Sequence, residues 1–296
     1  MLWLDSPVVD DRDEILGTPG GRRIGWMARG PADGTPVLYL HGWPGSRLEQ
    51  LLIPADVLHR FGVRLISIDR PGYGKTDPLP GERSARARDV LSLCDALGID
   101  RFPAIGVSGG GSNVLTLAAI APDRITRILS VSGQMPQDDE AAIAALPPEE
   151  LASLPLYRRG RIPELEALCA KERDDWLAPG MLDGFPTSDE SERRWLAQTW
   201  VRDAVATQVA EAFRPGLEGY IEDSLTCVKP FDVDVTTIRC PVTAVHGTAD
   251  TVCPLPNLRR VLAMIDTSEL ILLDGLNHIG PFLYPDLLIS LVVGRD

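Results

Sequence analysis

Residues Arg101–Pro122 read RFPAIGVSGGGSNVLTLAAIAP, and this stretch decides the fold. Phe102–Val107 is a short apolar run of strand length, the pattern of a buried strand. From Gly110 onward the residues suit a helix with a glycine-rich start, and Pro122 stops it. Between the two, Gly106-Val107-Ser108-Gly109-Gly110 matches G-x-S-x-G in the strand–turn–helix setting that gives the motif its meaning. A serine on so sharp a turn needs small neighbours, because strand and helix backbones approach closely there. The turn projects the hydroxyl at the carboxyl end of a sheet, beside a helix N-terminus whose partial positive charge favours a developing anion. A phosphate-binding loop is the alternative for Gly109-Gly110-Gly111. No G-K-[ST] follows, and no acidic residue is placed for a ribose, so a nucleotide site is weakly supported.

The same alternation extends in both directions. Upstream, EILGTPGGRRIGWMARG reads as a hairpin turned at Gly20-Gly21, and PVLYLHG as a buried strand. SRLEQLLIPADVLHRFG has helical spacing up to Gly62, VRLISIDRPGYG is a strand closed by a Pro-Gly turn, and SARARDVLSLCDALGI is a helix. Downstream, RITRILSVSG is a strand. CPVTAVHG, NLRRVLAMI, SELILLDG and PDLLISLVV then give strand, helix, strand and helix. Units in this order predict an α/β fold with a mostly parallel sheet flanked by helices. The rhythm breaks only from Gln134 to Val235, where PEELASL, IPELEALCAKERDDWL and SERRWLAQTWVRDAVATQVAEAF are helical and no buried strand is evident. The expected organisation is a core of residues 1–133 and 236–296, with 134–235 a helical cap inserted after the sixth strand.

Composition narrows the setting. The chain has 296 residues, is 44% hydrophobic, and carries a formal net charge of -13. Such a balance argues against nucleic acid and against an anionic membrane surface as partners. Cys94, Cys169, Cys227, Cys240 and Cys253 are odd in number and form no C-x-x-C pair, which predicts free thiols in a reducing compartment. The opening MLWLDSPVVDDRDE lacks a basic region followed by an apolar run, and no transmembrane stretch is present. A cytoplasmic location is expected.

A serine hydroxyl needs a base within hydrogen-bond reach to become a nucleophile. The histidines are His41, His59, His246 and His278. His59 lies in a helical pattern, His246 ends a strand and reads as packed or capping, and His41 precedes a loop glycine. His278, in LDGLNHIG after the last strand, sits on a loop that lets an imidazole reach across the sheet end, and is the expected base. Asp250, in HGTAD just past the strand VTAVH, is the expected acid; capping the next helix is its plainer role. Asp138 and Asp139 are the reserve. For oxyanion donors the choice is the backbone N–H of Gly109 and that of Trp43, in His41-Gly42-Trp43-Pro44-Gly45, where Pro44 cannot donate.

With HGWPG at His41, DRPGYG at Asp69, GVSGG at Gly106, HGTAD and NHI in order, the chain resembles the α/β-hydrolase superfamily over nearly its whole length, as an esterase-like serine hydrolase. The resemblance implies a cap over the active site, and neither metal nor organic cofactor. HGWPG looks like epoxide hydrolases, with Tyr157 and Tyr220 as possible tyrosine acids. Those enzymes, like haloalkane dehalogenases, carry aspartate at the turn where this chain has Ser108. Proline iminopeptidases are similar in layout, but no acidic pocket for a free amine is evident in the sequence. The expected reaction is hydrolysis of a carboxylic ester or thioester of a small to medium molecule. Carbon–carbon bond hydrolysis, lyase or cofactor-free oxygenase chemistry, and a non-catalytic ligand receptor remain alternatives on the same fold.

Overall fold

The structure, a computed structural model, describes residues 11–295. Most of the opening segment read for a leader lies outside the described residues. The expectation that no segment spans a membrane compares with a structure in which no helix of the described residues is long and apolar enough to cross one.

Eight strands form one sheet. They are β1 (Arg12–Gly17), β2 (Arg23–Arg29), β3 (Thr35–Leu40), β4 (Val63–Ile68), β5 (Phe102–Val107), β6 (Ile125–Val131), β7 (Val242–Gly247) and β8 (Ser268–Leu273). Their spatial order is β1-β2-β4-β3-β5-β6-β7-β8. β2 runs antiparallel to both β1 and β4, and every other pair is parallel. The central strands β4, β5 and β7 are buried at every position, as a sheet covered on both faces requires.

Two apolar cores account for that covering. On one face α2 (Arg83–Ala96), α3 (Gly110–Ile120) and α10 (Leu255–Leu262) contribute Val90, Leu93, Val114, Leu117, Leu258 and Val261. On the other, α1 (Ala55–Phe61) and α11 (Pro285–Val293) contribute Val57, Leu58, Leu288 and Ile289. The chain leaves β3 for β4 on one side and returns to β5 on the other. That reversal opens a crevice at the carboxyl ends of β3 and β5, the usual ligand position in open α/β sheets.

Between β6 and β7 lie α4 (Glu140–Ala144), α5 (Pro148–Arg158), α6 (Pro163–Leu177), α7 (Glu190–Leu196), α8 (Thr199–Phe213) and α9 (Glu218–Cys227). They bury a core of their own around Leu154, Leu165, Val209, Phe213 and Ile221, while Leu196, Val201 and Ala204 join the sheet's second core.

Two elements differ from the sequence reading. Ser46–Gly62 is not one helix: a 3-10 turn spans Arg47–Leu52, and α1 starts only after Pro54, which has no N–H to continue a helix. Its end at Gly62 is as expected, with φ 60° in the left-handed region. Ser191–Phe213 likewise divides, at Ala197 and Gln198, into α7 and α8.

Candidate active site

Ser108 follows β5 directly and has φ 47°, a strained left-handed conformation for a residue with a side chain. The glycines of the turn answer to contacts. A Cβ on Gly106 would stand 2.4 Å from the Gly110 carbonyl oxygen, and one on Gly110 would stand 2.2 Å from that of Leu40. Both separations are impossible, so the strand–helix approach needs glycine at each position.

His278 and Asp250 meet at this sheet end. Asp250, just beyond β7, is fully buried and accepts His278 Nδ1–H at Oδ2, 2.9 Å away. Its Oδ1 accepts the backbone N–H groups of Val252 at 2.9 Å and Cys253 at 2.8 Å. Burial opposes charge on Asp250, but His278, His246 and these N–H groups hold its pKa below the usual carboxylate value. Burial likewise opposes an imidazolium at His278, yet Asp250 and Cys253 raise its pKa well above the ordinary value. The loop carrying His278 is strapped on three sides. Asn277 N–H donates to Glu192 of α7 at 2.7 Å, His278 N–H to Asn277 Oδ1 at 2.8 Å, and Ser132 Oγ to the His278 carbonyl at 2.7 Å.

The Ser108 hydroxyl makes no hydrogen bond to His278 here. Its neighbour is the buried Cys253 thiol, 3.9 Å from Oγ, which also interacts with the His278 ring. Catalytic hydrogen bonds are often loose before substrate binds. Cys253 was not singled out in the sequence. The signal was its place three residues after Asp250, inside the turn whose amides hold that carboxylate.

The other histidines have different surroundings. His59 is exposed. His246 is fully buried, donates from Nε2 to the Cys253 carbonyl at 2.9 Å, and lies 3.3 Å from Asp250 Oδ2. Burial lowers its pKa below the ordinary histidine value. His41 is fully buried beneath the loop after β3. Asp138 and Asp139 both pair with Arg260, at 2.8 and 3.1 Å, and Asp139 also caps α4, so neither serves His278.

Trp43 N lies 3.2 Å from where a Cβ on Gly109 would stand, so the two backbone N–H groups chosen as oxyanion donors are neighbours. Beneath them, Glu49 accepts the Gly42 N–H at 3.0 Å and the Tyr39 hydroxyl at 2.9 Å. Burial pushes its carboxyl up to about 7 despite these bonds.

Two connected spaces open on Ser108 and His278. The larger, about 450 Å³, is walled by Trp43, Trp176, Phe185, Tyr220, Glu172 and Asp175. The smaller, about 90 Å³, reaches toward Glu49, Trp195 and Phe282. Trp176 and Phe185 thus line the pocket, while Phe213 belongs to the core of the helical segment. Tyr220 and Tyr157 flank Trp43, with ring centroids 5.3 and 6.3 Å away. The acidic wall is a feature the sequence reading missed. Glu172 and Asp175 stand one helical turn apart on α6, and no Lys or Arg lines either space among the described residues. One buried oxygen of Glu172 has no hydrogen-bond partner, while Asp175 pairs with Lys171 at 2.6 Å.

A model of the α/β-hydrolase fold family matches residues 35–167. The strand order, the turn at Ser108 and that match agree. The chain has the α/β-hydrolase fold. An α/β-hydrolase fold protein from Nakamurella multipartita superposes with TM-score 0.67 at 24% identity, covering 95% of this chain and 99% of that one. A non-heme chloroperoxidase of Streptomyces lividans is 28% identical over 282 residues, 88% of this chain and 91% of the relative. A 2-hydroxy-6-oxononadienedioate/2-hydroxy-6-oxononatrienedioate hydrolase of Dechloromonas aromatica is 32% identical over 140 residues, 45% of this chain and 48% of the relative. The matching proteins of this fold are mostly enzymes, with hydrolases prominent among them.

Proposed function

We propose that the chain is a serine hydrolase that cleaves carboxylic esters or thioesters through an acyl-enzyme on Ser108. The observation that carries this reading is the 2.9 Å bond from His278 Nδ1 to the buried Asp250, with Ser108 lining the same cavity as His278. Asp250 fixes the tautomer, leaving Nε2 as the basic nitrogen.

In the proposed mechanism His278 takes the Ser108 proton as Oγ bonds to the substrate carbonyl carbon. The carbonyl π pair moves to oxygen, and the N–H groups of Trp43 and Gly109 receive that oxyanion. Collapse breaks the bond to the leaving alkoxide or thiolate, which takes the proton from His278. Water, deprotonated by His278, then attacks the acyl carbon, and Ser108 leaves with its proton restored. Residues 134–235 act as the cap that excludes bulk water and shapes the pocket.

Four aromatic walls and two carboxylates without a lining cation favour neutral or ammonium-bearing esters over carboxylates. A dioate, as in the name of the Dechloromonas relative, fits this lining poorly, which favours ester cleavage over that alternative.

The test is labelling by a fluorophosphonate beside a panel of p-nitrophenyl esters, on wild type and Ser108→Ala. Labelling and turnover that both vanish in the variant support the reading. Ester turnover that persists in Ser108→Ala refutes it.

A further inference from the structure

The Gly42–Trp43 peptide presents the Trp43 N–H, and its carbonyl end is held twice. Arg70 Nη2 donates to the Gly42 oxygen at 2.7 Å, and His41 Nδ1 lies 2.8 Å from the same oxygen. The His41 tautomer follows from its other nitrogen. Nε2 faces the Arg70 backbone N–H at 2.9 Å, and that group only donates, so Nε2 holds the lone pair and Nδ1 carries the proton. A neutral ring is required, and burial and Arg70 keep it so by lowering the His41 pKa well below its usual value.

Peptide planarity carries the constraint across the bond. In a trans peptide C=O and N–H point in opposite directions, so fixing the Gly42 oxygen aims the Trp43 N–H. On the other side of that peptide stands Gly109.

Arg70 is itself placed from the helical segment. Its Nη1 lies 2.7 Å from Asp223 Oδ2 and 2.8 Å from Oδ1, and Asp223 belongs to α9. Asp223 also accepts the Tyr73 hydroxyl at 2.7 Å and pairs with Arg86 at 3.2 Å. His41, Arg70, Tyr73 and Asp223 are all buried, so water does not replace a lost partner. One guanidinium reaches a carbonyl with one nitrogen and a carboxylate with another; a lysine has a single nitrogen for both.

We propose that Arg70 is a positioning residue for the Trp43 oxyanion donor, and that Asp223 makes the donor's orientation depend on the seating of the helical segment. This rests on the serine-hydrolase reading of the site. The inserted helices then complete the catalytic apparatus as well as wall the pocket.

The experiment compares wild type, Arg70→Lys, Arg70→Ala and Asp223→Asn. Active sites are first titrated with a fluorophosphonate. Ester kcat and KM are then measured per titrated site, together with inhibition by a trifluoromethyl ketone. Ser108 Oγ adds to the ketone carbon, the ketone oxygen becomes an oxyanion, and His278 takes the proton, so its affinity reads the oxyanion contacts. The expected result is full titration, kcat per site down roughly 10- to 100-fold in Arg70→Lys and less in Asp223→Asn, with KM nearly unchanged. Ketone affinity should fall in parallel with kcat, and guanidinium added to Arg70→Ala should restore part of kcat. Fewer titratable sites with wild-type kcat per site, or unchanged ketone affinity in Arg70→Lys and Asp223→Asn, overturns the proposal. If Arg70→Lys does not fold, Asp223→Asn, which keeps the shape of the side chain, decides by the same criteria. A wild type that cleaves no ester and binds no ketone overturns the reading of the site, and this inference with it. Wild-type activity with indifferent variants overturns this inference alone.

Discussion

The strand-end loops and the inserted helices are built on opposite principles. Ser108, Asp250 and His278 hang from β5, β7 and the loop after β8, in turns fixed by backbone contacts such as the amides of Val252 and Cys253 on Asp250. The pocket walls Glu172, Trp176 and Phe185 come from α6 and the connection after it, held by the helical segment's packing and by exposed pairs such as Lys171–Asp175. Surface pairs of that kind contribute little, on the order of 0–1 kcal/mol. On the proposed reading the strand-end turns carry the chemistry and the walls from α6 the selectivity, while α9 reaches the chemistry through Asp223 and Arg70. Substitutions in the strand-end turns and in the pocket walls of α6 should separate into kcat and KM effects, with Asp223 of α9 on the kcat side because it acts through Arg70.

The largest expected effect is at Ser108. Ser108→Ala should lose fluorophosphonate labelling and lower ester kcat by roughly 10⁴-fold or more; stopped-flow and steady-state assays measure both. Asp250→Asn comes next, with kcat down roughly 10³- to 10⁴-fold. It also carries a pH signature. Asp250 holds the His278 pKa above its ordinary value of 6.5, and the base works only when neutral. Wild-type kcat/KM should therefore rise with pH through a midpoint above that value, and the midpoint should move down in the variant. A midpoint that stays put removes Asp250 from its role.

On the other side of the comparison, Glu172→Gln should leave kcat for a neutral ester unchanged. The preference for an ammonium-bearing ester over its carboxylate counterpart should shrink roughly tenfold, measured as a ratio of kcat/KM values. A loss of kcat for all esters would blur the division proposed above. The smallest effect concerns stability at Glu49. Its folded pKa of about 7 lies above the ordinary carboxyl value of 4.5, so the stabilising proton is fully present below about 4.5 and lost as pH rises through about 7. Denaturation midpoints should fall across that window in wild type, and the slope should flatten in Glu49→Gln.

What the sequence disclosed follows the same division. The strand and helix units were readable because each carries a local signature: an apolar run, a helical period, a Gly or Pro stop. Ser108 could be singled out because its turn needs glycines that motif matching detects. Pro54 marked the break before α1, but the helical spacing on both sides masked it. Arg70 sat in plain view in DRPGYG, yet its partner Asp223 is 153 residues away, and such a pairing leaves no local trace. The acidic wall was hidden for a related reason. Nothing in IPELEALCAKERDDWL sets Glu172 and Asp175 apart from its other charges until the fold turns α6 toward the cavity.

Ser132 repeats the backbone conformation of Ser108 one strand over, with φ 46° at the end of β6. It serves as a strain gauge with a handle. Ser132→Gly and Ser132→Ala both delete the hydroxyl that straps the His278 carbonyl, but only glycine relaxes the left-handed turn. The difference in unfolding free energy between these two variants isolates the torsional cost, about 1 kcal/mol for such a residue. What they share reports how much the Ser132 tether to the His278 carbonyl contributes to the fold.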